Sequence, residues 1–105
     1  MAKYIFGYHG RPVTPETAQQ DQAVMAAWGQ WFGNMGAALV DIGNPAGPSQ
    51  IVGQNGRVSK PQGVGLTGYS IVQADTLDAA TTLAKGCPGV AFGDSVEVRP
   101  LAGLT

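Results

Sequence analysis

The sequence is short of ionisable side chains of every kind. It holds one histidine, His9, and one cysteine, Cys87, and its charged residues make up 12% of 105, roughly half the usual share. Each shortage excludes something. A lone cysteine forms no disulfide within the chain and fits a reducing, cytoplasmic setting. One histidine and one cysteine do not build a closed zinc site within a single chain, and neither a metal nor another cofactor is expected. The net charge of −1 provides no basic field for nucleic acid. No apolar run approaches the ~20 residues of a membrane span, and the opening "MAKYIFGYHG" is interrupted too soon for a secretory signal. A domain with so few charges has little polar surface of its own, which points to cover from a second subunit.

What remains is an ordinary apolar fraction of 44%, enough for one small globular domain over residues 1–105. "KYIFGY", residues 3–8, alternates Tyr4, Phe6 and Tyr8 with Ile5 and Gly7, which is strand chemistry, and parity places His9 on the Ile5 side. "TPET" opens a helix, with Thr14 as N-cap and Pro15 in the first turn. Val24, Trp28, Trp31 and Met35 form one apolar stripe, widened by Phe32, and the helix ends near Gly36. Gly29 and Gly33 within it weaken the helix or permit close packing.

"ALVDIG", residues 38–43, reads as a second strand and "NPAGPSQ" as a loop. "QIVGQNGRVSK" is a hairpin turning at Asn55-Gly56. "LTGYSIVQA", residues 66–74, is a strand. "DTLDAATTLAKG" is a second helix, capped by Asp75 or Thr76, burying Leu77, Ala80 and Ala84, with Gly86 fitting the position after its end. "DSVEVRP" closes the fold as a strand, Val96 and Val98 facing one way, Glu97 and Arg99 the other.

The order β-α-β-β-α-β, with the small hairpin inserted, predicts an α+β, ferredoxin-like split βαβ domain: a four-stranded antiparallel sheet in order 4-1-3-2 with two helices on one face. The free face calls for a second copy, giving a homodimeric α/β barrel. In this topology one end of the sheet collects His9, Asp41, the loop at Asn44, Tyr69 beside Gly68, and Ser95. His9 is the candidate acid/base and Asp41 its partner; the competing readings are a strand-end histidine bonded to backbone or water, and an Asx turn into Gly43-Asn44. Tyr69, Asn44 and Ser95 are the candidate ligand contacts, Tyr69 equally reading as a half-buried strand tyrosine. The Trp28-Trp31-Phe32 stripe reads as core, and Cys87 as structural. "GVGLTG" precedes a strand and lacks a lysine, so it is a poor phosphate loop. Arg11, Arg57 and Lys60 read as solvated cations.

The stretches "LTGYSIVQADTLDAATTLAKGCPGVAFGDSVEVRPL" and "AAWGQWFGNMGAALVDIGNPAGPSQIV", with "KYIFGYHG" ahead of them, resemble the YCII-related domain family over nearly the whole chain. The resemblance implies a dimeric ferredoxin-like α/β barrel. It implies little about chemistry: some relatives use a His-Asp pair in a cleft, and one line dehalogenates a lactone. Another branch carries Asp-Gly-Pro-Phe before the third strand, where this chain has "KPQGVG" and lacks the acidic residue. The leading expectation is a homodimer whose cleft binds a small organic molecule, with weak lyase- or isomerase-type proton transfer by His9 and Asp41. The alternatives are a non-catalytic ligand-binding or accessory module and, by fold analogy, a cofactor-free or haem-related oxygenase.

Overall fold

The computed structural model describes residues 1–10, 22–61 and 65–102. Strand β1, Ala2–His9, follows its two-residue alternation: Tyr4 and Phe6 are buried and Tyr8 packs beside them, while Ile5 and His9 point to the opposite face. The same period recurs in β5, Leu66–Ala74, where Ser70, Val72 and Ala74 are buried between half-exposed Tyr69, Ile71 and Gln73. With β2, Leu39–Asp41, and β6, Ser95–Pro100, these strands form a four-stranded sheet in the order β2-β5-β1-β6. All neighbours are antiparallel. Read from the β6 edge this is the expected 4-1-3-2 order, and the α+β architecture is compatible with a ferredoxin-like fold.

Helix α1 spans Gln22–Met35; its expected start at Thr14 and Pro15 lies outside the described residues. Trp31 and Met35 are buried, with Val24, Trp28 and Phe32 half-buried along the same stripe. Gly36, at φ 53°, ends the helix, because a left-handed residue breaks the ladder where glycine pays no steric cost. Among the described residues, nothing lies within 4 Å of a would-be Cβ on Gly29 or Gly33, so no close packing against them is seen there. Helix α2, Leu77–Ala84, is capped by Thr76, whose side chain accepts a hydrogen bond from the Ala79 N–H at 3.1 Å. Ala80 and Ala84 are buried as expected, but Leu77 is exposed: it is the first residue of the helix, just past the end of β5. Gly86 does not adopt a positive φ. Its lack of a side chain matters for packing instead, since a Cβ there would lie 3.2 Å from Trp31 Nε1.

Both helices contribute to one core with Tyr4, Phe6 and Val72. Phe6 stacks on Trp31 with centroids 6.0 Å apart, and Tyr8 meets Trp28 edge-on at 5.0 Å. Trp31 also donates its Nε1–H to the Leu83 carbonyl at 3.1 Å, tying α1 to α2. The molecule measures 43 × 41 × 20 Å. A depth of 20 Å accommodates one helix layer on one sheet, at a layer spacing of about 10 Å. The face bearing Ile5, His9, Tyr69 and Ile71 is the open one: among the described residues, both helices pack on the opposite face.

Between β2 and β5 stands a separate hairpin, β3, Ile51–Val52, and β4, Val58–Ser59. Its turn places Asn55 at φ 62° and Gly56 at φ 75°, the two left-handed residues that an Asn-Gly type I′ turn requires. Among the described residues no helix is long and apolar enough to cross a membrane.

A histidine-glutamate pair on the uncovered sheet face

His9 ends β1 opposite Ser95, and two residues back Gly7 stands opposite Glu97. Glu97 is thus the diagonal cross-strand neighbour of His9, within reach of a long side chain. Gly7 opens the path between them. A Cβ on Gly7 would lie 3.8 Å from His9 Nε2, 3.9 Å from Glu97 Cβ and 3.1 Å from Leu66 Cδ1. The imidazole leans back over this bare backbone, and Nε2 meets Glu97 Oε1 at 3.1 Å. The other carboxylate oxygen, Oε2, accepts a close hydrogen bond from Arg99 Nε. Three alternating residues of β1 and β6 therefore make a continuous line, His9-Glu97-Arg99, with Leu66 as its apolar flank.

The electrostatics follow from this order. The Arg99 hydrogen bond, then the His9 hydrogen bond, hold the Glu97 carboxyl below the usual glutamate range. An ionised carboxylate only accepts, so Nε2 carries the hydrogen in this pair, and a neutral imidazole keeps its lone pair on Nδ1. Glu97 thereby selects the tautomer that leaves Nδ1 free of hydrogen. The His9 and Glu97 side chains are 31% and 42% exposed, open enough to meet a small molecule and too open for the pair to add much to stability.

The expected partnership of His9 with Asp41 is not what this geometry provides. Asp41 stands level with Ile71 in β5, and Ile71 is level with Ile5 in β1. His9 lies two strand spacings across and four residues further along, about 16 Å away by strand dimensions. Strand β2 stops too early to bring its carboxylate to the end of β1. Asp41 Oδ1 instead accepts from the Gly43 N–H at 2.8 Å, the Asx turn that was its competing reading. Gly68 opens no space between His9 and Asp41. It faces the helix side, opposite Tyr8, where a Cβ would lie 3.1 Å from the Asn44 carbonyl oxygen and 3.6 Å from Tyr8 Cδ2.

Of the candidate ligand contacts, Ser95 is paired with His9 and exposed, and Tyr69 is paired with Gly7 and half-buried; both belong to the His9 face. Asn44 lies beside them through its backbone, its carbonyl accepting from the Tyr69 N–H at 3.3 Å. Residues 42–46 continue along β5 after β2 ends, with a bridge from Pro45 to Gly68 and an Ala46 N–H to Thr67 carbonyl bond of 2.8 Å. Strand parity puts Glu97 on the face away from Val96 and Val98. Only the β1–β6 register revealed that this face is the His9 face.

Behind the sheet lies a second polar line. The Tyr8 hydroxyl donates to Ser70 Oγ at 2.8 Å, and Ser70 Oγ donates to the Ile42 carbonyl at 2.6 Å. Burial pushes the Tyr8 phenol up to about 12, against a smaller lowering by its bond to Ser70. Cys87 is buried, and burial raises its thiol as well, so it is held as the unreactive thiol. Arg57 and Lys60 are exposed on the hairpin; Arg11 lies outside the described residues. Among the described residues no cluster of three or more His, Cys, Asp or Glu side chains is arranged to hold a metal ion. No family model matches the chain, and no curated protein matches it either.

Proposed function

We propose that the chain works as a homodimer, related to the YCII-like proteins it resembles, in which two uncovered sheet faces enclose a small-molecule cleft. His9 is its proton-transfer group, acting through Nδ1, and Glu97 is the carboxylate that orients it, in the place first expected of Asp41. Lyase- or isomerase-type chemistry on a small organic molecule suits such a pair, because both need one group that removes a proton and returns it. Ser95 and Tyr69 contact the ligand at the rim, and Asn44 shapes the rim through its backbone. A cytoplasmic setting fits the single thiol.

The observation that carries this reading is the 3.1 Å contact between His9 Nε2 and Glu97 Oε1 over the bare backbone of Gly7. It supports an imidazole with its proton assigned and its free nitrogen available. The homodimer draws support from the two-layer depth of 20 Å and from half-buried Ile5 and Ile71 on the open face.

The test needs no prior substrate. Small carbonyl compounds with acidic C–H bonds are incubated with the protein in D2O, and loss of the C–H signal is followed by proton NMR. Wild type should accelerate exchange in at least one compound, Glu97→Gln should slow it, and His9→Ala should abolish it. Equal exchange with wild type and His9→Ala across the panel would refute the catalytic reading. Light scattering should give twice the monomer mass of 10.8 kDa; a monomer at micromolar concentration would refute the dimer.

A further inference from the structure

The β3–β4 hairpin presents apolar side chains that none of the described residues buries. Residues 47–60 are all exposed, and Ile51, Val52 and Val58 are 49%, 71% and 56% accessible. Val52 and Val58 are direct cross-strand partners, so they present one apolar face together. Each strand has two residues, and a two-stranded hairpin of that size is marginal in water without a surface to pack on. Apolar side chains in this arrangement gain nothing from water and little from the other described residues.

The size of the uncovered sheet says what that surface is. The four sheet strands hold 26 residues, so about 13 point to the open face. A stable protein–protein interface takes roughly 20–30 residues a side. The sheet face alone falls short, and the hairpin with its flanks, residues 47–60, makes up the difference. The hairpin is rooted at one end of that sheet. It leaves the sheet where Ala46 bonds Thr67 and returns through Gly65, whose carbonyl accepts from the Gly10 N–H at 3.4 Å. Its base is therefore at the His9 end, continuous with the sheet interface rather than remote from it.

We infer that the hairpin is a dimerisation arm, whose Val52-Val58 face docks on the second copy of this chain and completes the interface begun by the open sheet face. This inference rests on the homodimer proposed above and extends it. Two identical arms related by a twofold axis add their area twice, which suits a small domain whose sheet is too small to hold a partner alone. Because the arms spring from the His9 end, their docking also narrows access to the His9-Glu97 pair.

The experiment is sedimentation equilibrium of the full chain as wild type, as Val52→Asp/Val58→Asp, and as Ile71→Lys on the open sheet face. The wild type should be a dimer, and both variants should shift to monomer. For the hairpin variant the dissociation constant should rise at least about 100-fold, since each valine contributes at least about tenfold when buried. Its circular dichroism and thermal transition should remain those of a folded domain, because both valines lie outside the core. A wild-type dimer that Ile71→Lys breaks and the hairpin variant leaves intact would overturn the arm while the sheet-face dimer stood. A wild-type monomer would overturn both.

Discussion

The Tyr8-Ser70-Ile42 line offers a measurement whose size and pH dependence both follow from the structure. Ser70 is fully buried, accepts from the Tyr8 hydroxyl and donates to the Ile42 carbonyl. Ser70→Ala removes both bonds without creating a large cavity. At ~1 kcal/mol net for each hydrogen bond, the loss is about 2 kcal/mol, rising toward 4 if the Ile42 carbonyl finds no water. Tyr8→Phe removes one of the two bonds and should cost about 1 kcal/mol at pH 7. Because the two residues share that bond, the double variant should cost about 1 kcal/mol less than the sum. Urea unfolding at 25 °C resolves these differences.

The pH series sharpens the test. The unfolded chain releases the tyrosine proton near 10, whereas the folded protein holds it to about 12. Between those values the native state binds more protons, so stability falls as pH rises. Tyr8's contribution is complete below pH 10 and lost as pH approaches 12, by about 3 kcal/mol at most. Other groups titrate in this range, so the informative quantity is wild type minus Tyr8→Phe. That difference should favour wild type at pH 7, shrink above pH 10 and reverse sign by pH 12. A flat difference from pH 9 to 12 would mean that the phenol is fully hydrated and that the line carries no such energy.

Three further outcomes are expected. Trp31→Ala should cost about 3–5 kcal/mol by urea unfolding, as for a large core aromatic, and Trp31→Phe about 1–2 kcal/mol, losing the Leu83 hydrogen bond and part of the ring. Gly43→Ala should cost about 2–4 kcal/mol in the same assay, because Gly43 has φ 75° and a Cβ would meet the Tyr69 carbonyl oxygen at 1.7 Å; a neutral result would refute the tight approach of residues 42–46 to β5. Carbon-13 NMR titration of Glu97 should place its midpoint below an ordinary glutamate, and Arg99→Gln should raise it more than His9→Ala, the order in which the two bonds act on it. In that titration the favourable interaction is present above the unfolded glutamate value and fades as pH falls through the lower folded one.

Much of the fold was legible because its signals are local. The alternation of Tyr4, Phe6 and Tyr8 needed only a strand of period two, and the Trp31–Met35 stripe only a helix of period 3.6. The Asn55-Gly56 turn came from backbone sterics within two residues. Thr76 capped α2 because its hydroxyl reaches an N–H three residues away. Where local logic misled, tertiary contact had taken over. Gly86 does take the position after the end of α2, but without a left-handed turn, because Trp31 lies against it and occupies the space a side chain would need. Leu77 fitted a helical apolar face, yet that face has no sheet beneath its first residue.

The candidate site divides the same way. By itself, the sequence determined that His9 ends a strand on the Ile5 face, that Glu97 and Arg99 share a face of the last strand, and that Asp41 precedes a Gly-Asn turn. Parity along a strand is a property of consecutive residues and needs no neighbour. Only the tertiary structure decided which carboxylate meets the imidazole, because that depends on register and strand length. Each residue of offset moves a side chain by about 3.4 Å and turns it to the other face. The early end of β2 carried Asp41 away, and the pairing of Gly7 with Glu97 brought the glutamate to His9 across a residue with no side chain to keep them apart.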